Sequence, residues 1–328
     1  MGYITQSNKD NSNLTLTRGY LICLTAVALW STTAIFIGYL IQTFQMPPLV
    51  LAFWRDAIVF IFLFLVFIFF NRSRLKPGYG NTRFFLLYGF ILSAFNAIWT
   101  VSVALNGAAV STVLAYSAPA FTVLLAHWIF REELTVVKIL AVILSLLGCF
   151  LISGAYNLHN WQLNPIGIVT GLLSGLLFAA YNLMGKASSE RSIYPWRAML
   201  YSFGFAALFL FIYVQLPVPW PQGISSSNLF WLDGEWVGWL ALIILAVGPT
   251  AVGFGLYTVS LTYLPVGVAS LIATIEPVMT AGLAYVLLGE RFTIPQFIGG
   301  VLIVLGVVLL RMNEGRRRNA RKGSPLPG

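Results

Sequence analysis

Ten apolar runs, each long enough to cross the roughly 30 Å hydrocarbon core of a bilayer, follow one another along 328 residues with short polar breaks between them. They lie near residues 19–42, 49–70, 84–105, 108–130, 136–153, 165–187, 197–216, 236–263, 266–288 and 294–311. Runs of this length satisfy their backbone hydrogen bonds in lipid as helices, so the expected fold class is all-α integral membrane. Composition closes off the soluble alternative: 59% of residues are hydrophobic and 9% charged, against about 25% charged in soluble domains. The shortest breaks, Asn106-Gly107 and Leu264-Pro265, read as tight turns because Gly and Pro punctuate overlong apolar runs there.

Charge tests the count of ten. With both ends of the chain in the cytoplasm, every Lys and Arg falls on that side except Arg291, which falls outside, and Arg55, which lies within a span. Cytoplasmic loops carry such an excess of basic residues, so the net charge of +9 is a topology signal and no nucleic-acid partner is expected. The expected location is a cell (plasma or inner) membrane, crossed many times. The first run is longer than a signal-peptide core and lacks a small-residue cleavage pattern, so it is expected to stay as the first helix. Residues 1–17 read as a polar cytoplasmic tail, and 312–328 as a basic one, disordered and anchored near anionic headgroups.

An internal repeat sets the architecture. Sliding the chain by 158 residues lays WTVSVAL (99–105) on YTVSLTY (257–263), and then, without a gap, Ala115 on Ala273, Pro119 on Pro277, Thr122 on Thr280, Glu132 on Glu290, Thr135 on Thr293 and Gly148 on Gly306. Over residues 99–152 there are 15 identities in 54 positions; the aligned Pro, Glu, Thr and Gly are not apolar filler, so duplication accounts for them. A weaker match at an offset of 148 places Gly19 on Gly167 and Trp30 on Phe178. The repeats then run over 18–153 (helices 1–5) and 165–311 (helices 6–10). Five helices per half is an odd number, so the second half enters the membrane from the opposite side. Inverted repeats are the architecture of many secondary transporters, with the binding site near the midplane between halves.

The stretch IEPVMTAGLAYVLLGERFTIPQFIGGVLIVLGVVLL (275–310), with Glu-Pro inside helix 9, Gly-Glu-Arg at the turn and a Gly-rich last helix, resembles the final two helices of the EamA family in the drug/metabolite transporter superfamily. ALWSTTAIF (28–36) resembles that family's first-helix signature. The resemblance implies helices 1–4 and 6–9 around a central cavity, helices 5 and 10 at the periphery, and transport of metabolites such as amino acids. The first repeat departs from the pattern, with Ala118 where the second has Glu276 and Arg131 where it has Gly289.

Candidate substrate-binding residues follow from depth. Glu276 lies ten positions into a span beginning at Val266, hence about 15 Å deep, near the midplane. A carboxylate there is expensive unless protonated, paired or facing water, so Glu276 is expected either to face the cavity or to cap backbone groups freed by Pro277. Pro277 and Pro119 free the carbonyls of Ala273 and Ala115, so both are expected helix breaks. Arg55 lies roughly 9 Å below the end of its span and needs a partner. Asp56 adjoins it, but neighbours on a helix do not face each other, which leaves one of the two to meet substrate, unless Arg55 snorkels to the outer interface or joins a structural ion pair. Trp30, Trp99 and Tyr257 sit inside spans at repeat-related positions and are expected either to line the cavity or to pack helices. Asn96 and Asn182 suit interhelical hydrogen bonds as well as ligand contact, and His127 an interfacial place. Cys23 and Cys149, far apart and without metal-ligand spacing, read as packing residues.

No HExxH, GxSxG, paired aspartates or phosphate-cradling Gly loop points to a membrane enzyme, and no Walker motif to ATP. No cofactor or metal is expected. A nucleotide-sugar or sugar-phosphate carrier would want several cavity cations, and Arg55 alone is available. The expected partners are a small-molecule substrate and the lipid bilayer, with a homodimer compatible.

Overall fold

A computed structural model describes residues 2–70, 72–75, 81–157, 164–216, 220, 222–288 and 293–323. Gly289, Glu290 and Arg291, used above, lie outside the described residues. Every regular element among the described residues is a helix. Among the described residues, nine apolar helical stretches are long enough to cross a bilayer, and α6 (Val136–Ile152) is a shorter apolar helix of 17 residues. Together they make ten spans, which place the chain's two ends on one side, here called the terminal face.

Span 1 is α1 (Gly2–Trp30) with α2 (Thr33–Phe44), span 2 is α3 (Pro48–Phe70), and spans 3 and 4 are built from α4 (Thr82–Ala115) and α5 (Ala118–Phe130). After α6 come α7 (Pro165–Glu190) and α8 (Pro195–Gln215) as spans 6 and 7. Span 8 is α9 (Trp236–Leu245), a π-helical turn (Ala246–Val252) and α10 (Gly253–Ser260); span 9 is α11 (Val266–Ala273) with α12 (Glu276–Leu288); span 10 lies in α13 (Ile294–Gly323).

Helical backbone is continuous through α4, yet α4 is not one rod. The Ser102 hydroxyl donates to that of Ser111 at 2.9 Å, whereas nine residues of straight helix rise about 13.5 Å. The chain therefore reverses between them, where Asn106-Gly107 was expected to turn. The second expected turn lies between α10 and α11, at 261–265.

The C-terminal tail, expected to be disordered, is helical as far as Gly323, and the polar N-terminal tail is helical too. α1 starts at Gly2 and α13 runs to Gly323, so the polar ends extend the helices they adjoin. Extending an existing helix avoids the cost of nucleation, and the Glu, Arg, Ala and Lys after Arg311 are good helix formers.

The duplication is visible in the backbone. Span 4 breaks between Ala115 and Ala118, span 9 between Ala273 and Glu276; the two breaks are 158 residues apart at both edges, each just ahead of its proline. Arg131 closes α5 with φ 54°, the left-handed cap that suits glycine, and at this place the second repeat has Gly289. The first repeat thus forms a left-handed cap without a glycine.

Spans 5 and 10 pack on each other at two close approaches. A Cβ on Gly148 would lie 2.6 Å from the Gly299 carbonyl oxygen, and one on Gly306 would lie 3.3 Å from that of Ala141. The offset of 158 carries Gly148 to Gly306 and Ala141 to Gly299, so the approaches are one contact seen from both ends. Such reciprocity requires a two-fold relation between the repeats, and small residues let the backbones meet. The first helices of the repeats are exchanged: α1 packs on α10 and α11 of the second half, α7 on α4 and α5 of the first.

Packing differs along the spans. Every residue of α11 is buried, whereas residues 275–283 beyond the break are half-buried. In span 1, Tyr20, Cys23, Ala26, Val27, Trp30 and Ser31 are buried, and described residues 32–38 only in part. Spans 1 and 9 are thus closely packed in their terminal-face halves and looser just beyond their breaks, while a separate buried cluster around Leu40, Leu49, Val50 and Leu242 holds spans 1, 2, 7 and 8 together toward the opposite face.

Candidate functional site

Three clusters of polar and aromatic groups stand inside the bundle. The first is at the helix breaks. Glu276 is the first residue of α12, where the helix dipole favours a carboxylate, and the Tyr116 hydroxyl, in the break of span 4, is within hydrogen-bonding reach of it. Behind the break of span 9, the Thr274 hydroxyl donates to Ser145 on α6 at 3.1 Å. One turn after Glu276, Thr280 donates to the Ser31 carbonyl at 3.2 Å. That carbonyl lies at the interruption between α1 and α2, where the Ser31 and Thr32 hydroxyls also bond the carbonyls three residues back, a competition that disrupts helices. Breaks in spans 1, 4 and 9 are therefore neighbours.

The second cluster lies between spans 2 and 3. Asp56 is fully buried and accepts from Arg55 Nε at 3.2 Å and from Asn96 Nδ2 at 3.2 Å. Of the readings open for Arg55, the structure shows the ion pair: although neighbours on a helix do not face each other, the long Arg55 side chain reaches Asp56, which is buried and costly without a cation. Asp56 is thereby occupied. Arg55 uses only Nε, and its terminal nitrogens carry no hydrogen bond among the described residues. Asn96 ties the two spans, as interhelical amides do.

Aromatic rings make the third. Trp30 lies against Gly253, where a Cβ would come within 2.8 Å of the indole, and its ring centroid is 4.9 Å from Tyr257, 4.7 Å from Phe254 and 6.5 Å from Phe178. Trp30 Nε1, the Tyr257 hydroxyl and both amide atoms of the fully buried Asn182 have no hydrogen-bond partner among the described residues. Glycine at 253 follows the π-helical turn holding Pro249, where Thr250 bonds the Leu245 carbonyl at 2.9 Å; such turns are frequent at functional sites.

Of the expected residues, Trp30 and Tyr257 are brought together, Arg55 and Asn96 meet through Asp56, and Glu276 meets Tyr116. Trp99 is half-buried on α4 and belongs to none of the three clusters. Pro119 and Pro277 stand at the helix breaks. His127 turns its Nδ1 to the Glu132 carbonyl at 2.7 Å. Asp56 as the hub of a triad, and Phe178 and Phe254 as ring partners, were missed; the adjacency of Asp56 to Arg55 was the available signal. An apolar groove of about 270 Å³ between α2 and α9, lined by Ile35, Phe36, Tyr39 and Leu240 among others, holds none of these residues. No cluster of His, Cys, Asp and Glu suited to a metal occurs among the described residues.

The family model described as the EamA-like transporter family matches residues 17–154 and again 165–312. The chain belongs to this family. Its EamA-like relatives include an uncharacterized transporter of Archaeoglobus fulgidus, 30% identical over 61% of this chain and 66% of that protein. An uncharacterized inner membrane transporter of Salmonella typhimurium is 25% identical over 92% and 98%. An Escherichia coli protein named a probable amino-acid metabolite efflux pump is 25% identical over 93% and 98%. A crystal structure at 19% identity superposes with a TM-score of 0.74 over 92% of this chain and 98% of its own, which shows a shared fold. Membership makes the chain a transporter of the drug/metabolite superfamily, and points away from an enzyme.

Proposed function

We propose that this EamA protein is a secondary transporter that moves an amino-acid-like metabolite out of the cell by alternating access through a central cavity. The carrying observation is the meeting of the repeat-related helix breaks, with Glu276 at one and Tyr116 at the other. Broken helices at symmetric positions are where transporters place backbone toward substrate. An amino-acid-like solute offers an amine for Glu276 and a carboxylate for the terminal nitrogens of Arg55, and Trp30 and Tyr257 supply an aromatic wall. Relatives named for amino-acid metabolite efflux support this substrate class and direction. In this reading the terminal face is cytoplasmic and the membrane is the plasma or inner membrane. The test is an untargeted comparison of metabolites released by cells that overproduce the protein or its Glu276→Gln variant, then uptake of each enriched compound into liposomes. Enrichment of amino-acid-like compounds that vanishes in the variant is expected; enrichment confined to sugar phosphates would overturn the substrate class.

A further inference from the structure

The tight turn joining spans 8 and 9 at the terminal face is held by charged side chains from elsewhere in the bundle. Glu132 Oε1 accepts the Val266 N–H at 2.7 Å, the start of α11. Its other oxygen accepts from Lys138 Nζ at 3.2 Å, and Lys138 is only 3% exposed. On the near side of the turn, Lys186 Nζ donates to the carbonyls of Leu261 at 3.2 Å and Leu264 at 3.5 Å, just past the end of α10. The orphan groups of one helix C-terminus and the next N-terminus thus receive side chains of the charge that each helix end favours.

We propose that Glu132, Lys138 and Lys186 form an electrostatic latch that holds the terminal face closed and is released when that face opens. The proposal rests on the alternating-access reading. Glu132 and Lys138 belong to the first repeat and Val266 to the second, so the latch crosses the interface that opening must part. Separating span 4 from span 9 here breaks the 2.7 Å bond and strips α11 of its cap. The closed packing around the turn agrees: every residue of α11 is buried, and a Cβ on Gly267 would touch Val123 and the Glu132 carboxylate at 3.1 and 3.3 Å.

The cations of the latch are not duplicated. An offset of 158 carries Lys138 to Gln296, which turns its amide to Thr293 and to the Ile152 carbonyl. An offset of 148 carries Lys186 to Gly38. Neither cation is repeated at the related place in the other repeat, and Glu290, the counterpart of Glu132, lies outside the described residues. The charges therefore bias a two-fold framework toward the arrangement closed at the terminal face.

The test uses the full chain with Cys23 and Cys149 replaced by alanine, a Ser270→Cys reporter in α11 or a Thr280→Cys reporter in α12, and a membrane-impermeant maleimide applied to vesicles of either orientation. Glu132→Gln, and separately Lys186→Met, are expected to speed labelling of the Ser270→Cys reporter from the terminal face at least about fivefold and to slow that of the Thr280→Cys reporter from the opposite face. Faster labelling of the first with no change in the second supports the latch and overturns the coupling that alternating access needs. No change at either reporter in both variants overturns the latch and leaves alternating access standing. Should Glu132→Gln fail to yield folded protein by size-exclusion chromatography, Lys186→Met, which keeps the ion pair, decides by the same criteria.

Discussion

Tyr116 and Glu276 face each other from the breaks of two repeat-related helices, the tyrosine ending the first half of span 4 and the glutamate beginning the second half of span 9. The carboxylate thus stands at a helix N-terminus of its own repeat, with a tyrosine of the other repeat beside it. A group placed so can report the separation of the halves.

Glu276→Gln keeps size and hydrogen-bonding reach while removing the charge. If Glu276 binds an amine or a proton, the variant folds in normal amount and loses transport by roughly ten- to hundredfold, the worth of one charge-assisted hydrogen bond of about 1.5–3 kcal/mol. Liposome uptake of the metabolite identified in the release screen checks this. Parental rates and an unchanged pH profile would leave Glu276 as a helix cap only.

Around Asp56, the prediction is non-additive. Arg55→Gln strands a buried carboxylate and is expected to cost about 3–5 kcal/mol, read as a lower thermal midpoint in detergent. Arg55→Gln with Asp56→Asn removes both charges and should recover more than half of that loss. If the double variant is no better than the single one, Asp56 does not depend on Arg55, and the triad is not the unit described.

Spans 5 and 10 touch backbone to backbone at Gly148 and Gly299. Gly148→Leu forces the helices apart, because even a Cβ would meet the Gly299 carbonyl at 2.6 Å. The expected result is little folded protein. A monodisperse peak of parental height on fluorescence-detected size exclusion would show that this crossing is dispensable.

Orientation is checked by impermeant cysteine labelling of intact cells. Cysteines introduced in segments 154–164 and 219–233 should react from outside, and those in 73–82 only after permeabilisation. The reverse pattern would place the terminal face outside.

Much of the fold was legible because a bilayer imposes length and polarity on every span, and because duplication wrote the same breaks twice. Pro119 and Pro277 fixed the break positions by their missing N–H groups, and Asn106-Gly107 marked a reversal that helical backbone alone conceals. The site was less legible. Arg55 and Asp56 were read by a rule for regular side-chain directions, which a long flexible guanidinium escapes. Trp30 meets Tyr257 across 227 residues of sequence, and no local pattern encodes that approach or the glycine at 253 that permits it. Glu132 stood out as a repeated residue, but its bond to the Val266 N–H depends on the folding of one repeat against the other.

One position breaks the duplication where it matters most: Ala118 begins α5 where Glu276 begins α12. Two copies of a half-length ancestor would present identical walls to anything held between them. If substrate is held between these walls as proposed, it meets a methyl group on one side and a carboxyl on the other, and is received in one orientation only by a framework whose backbone would accept either.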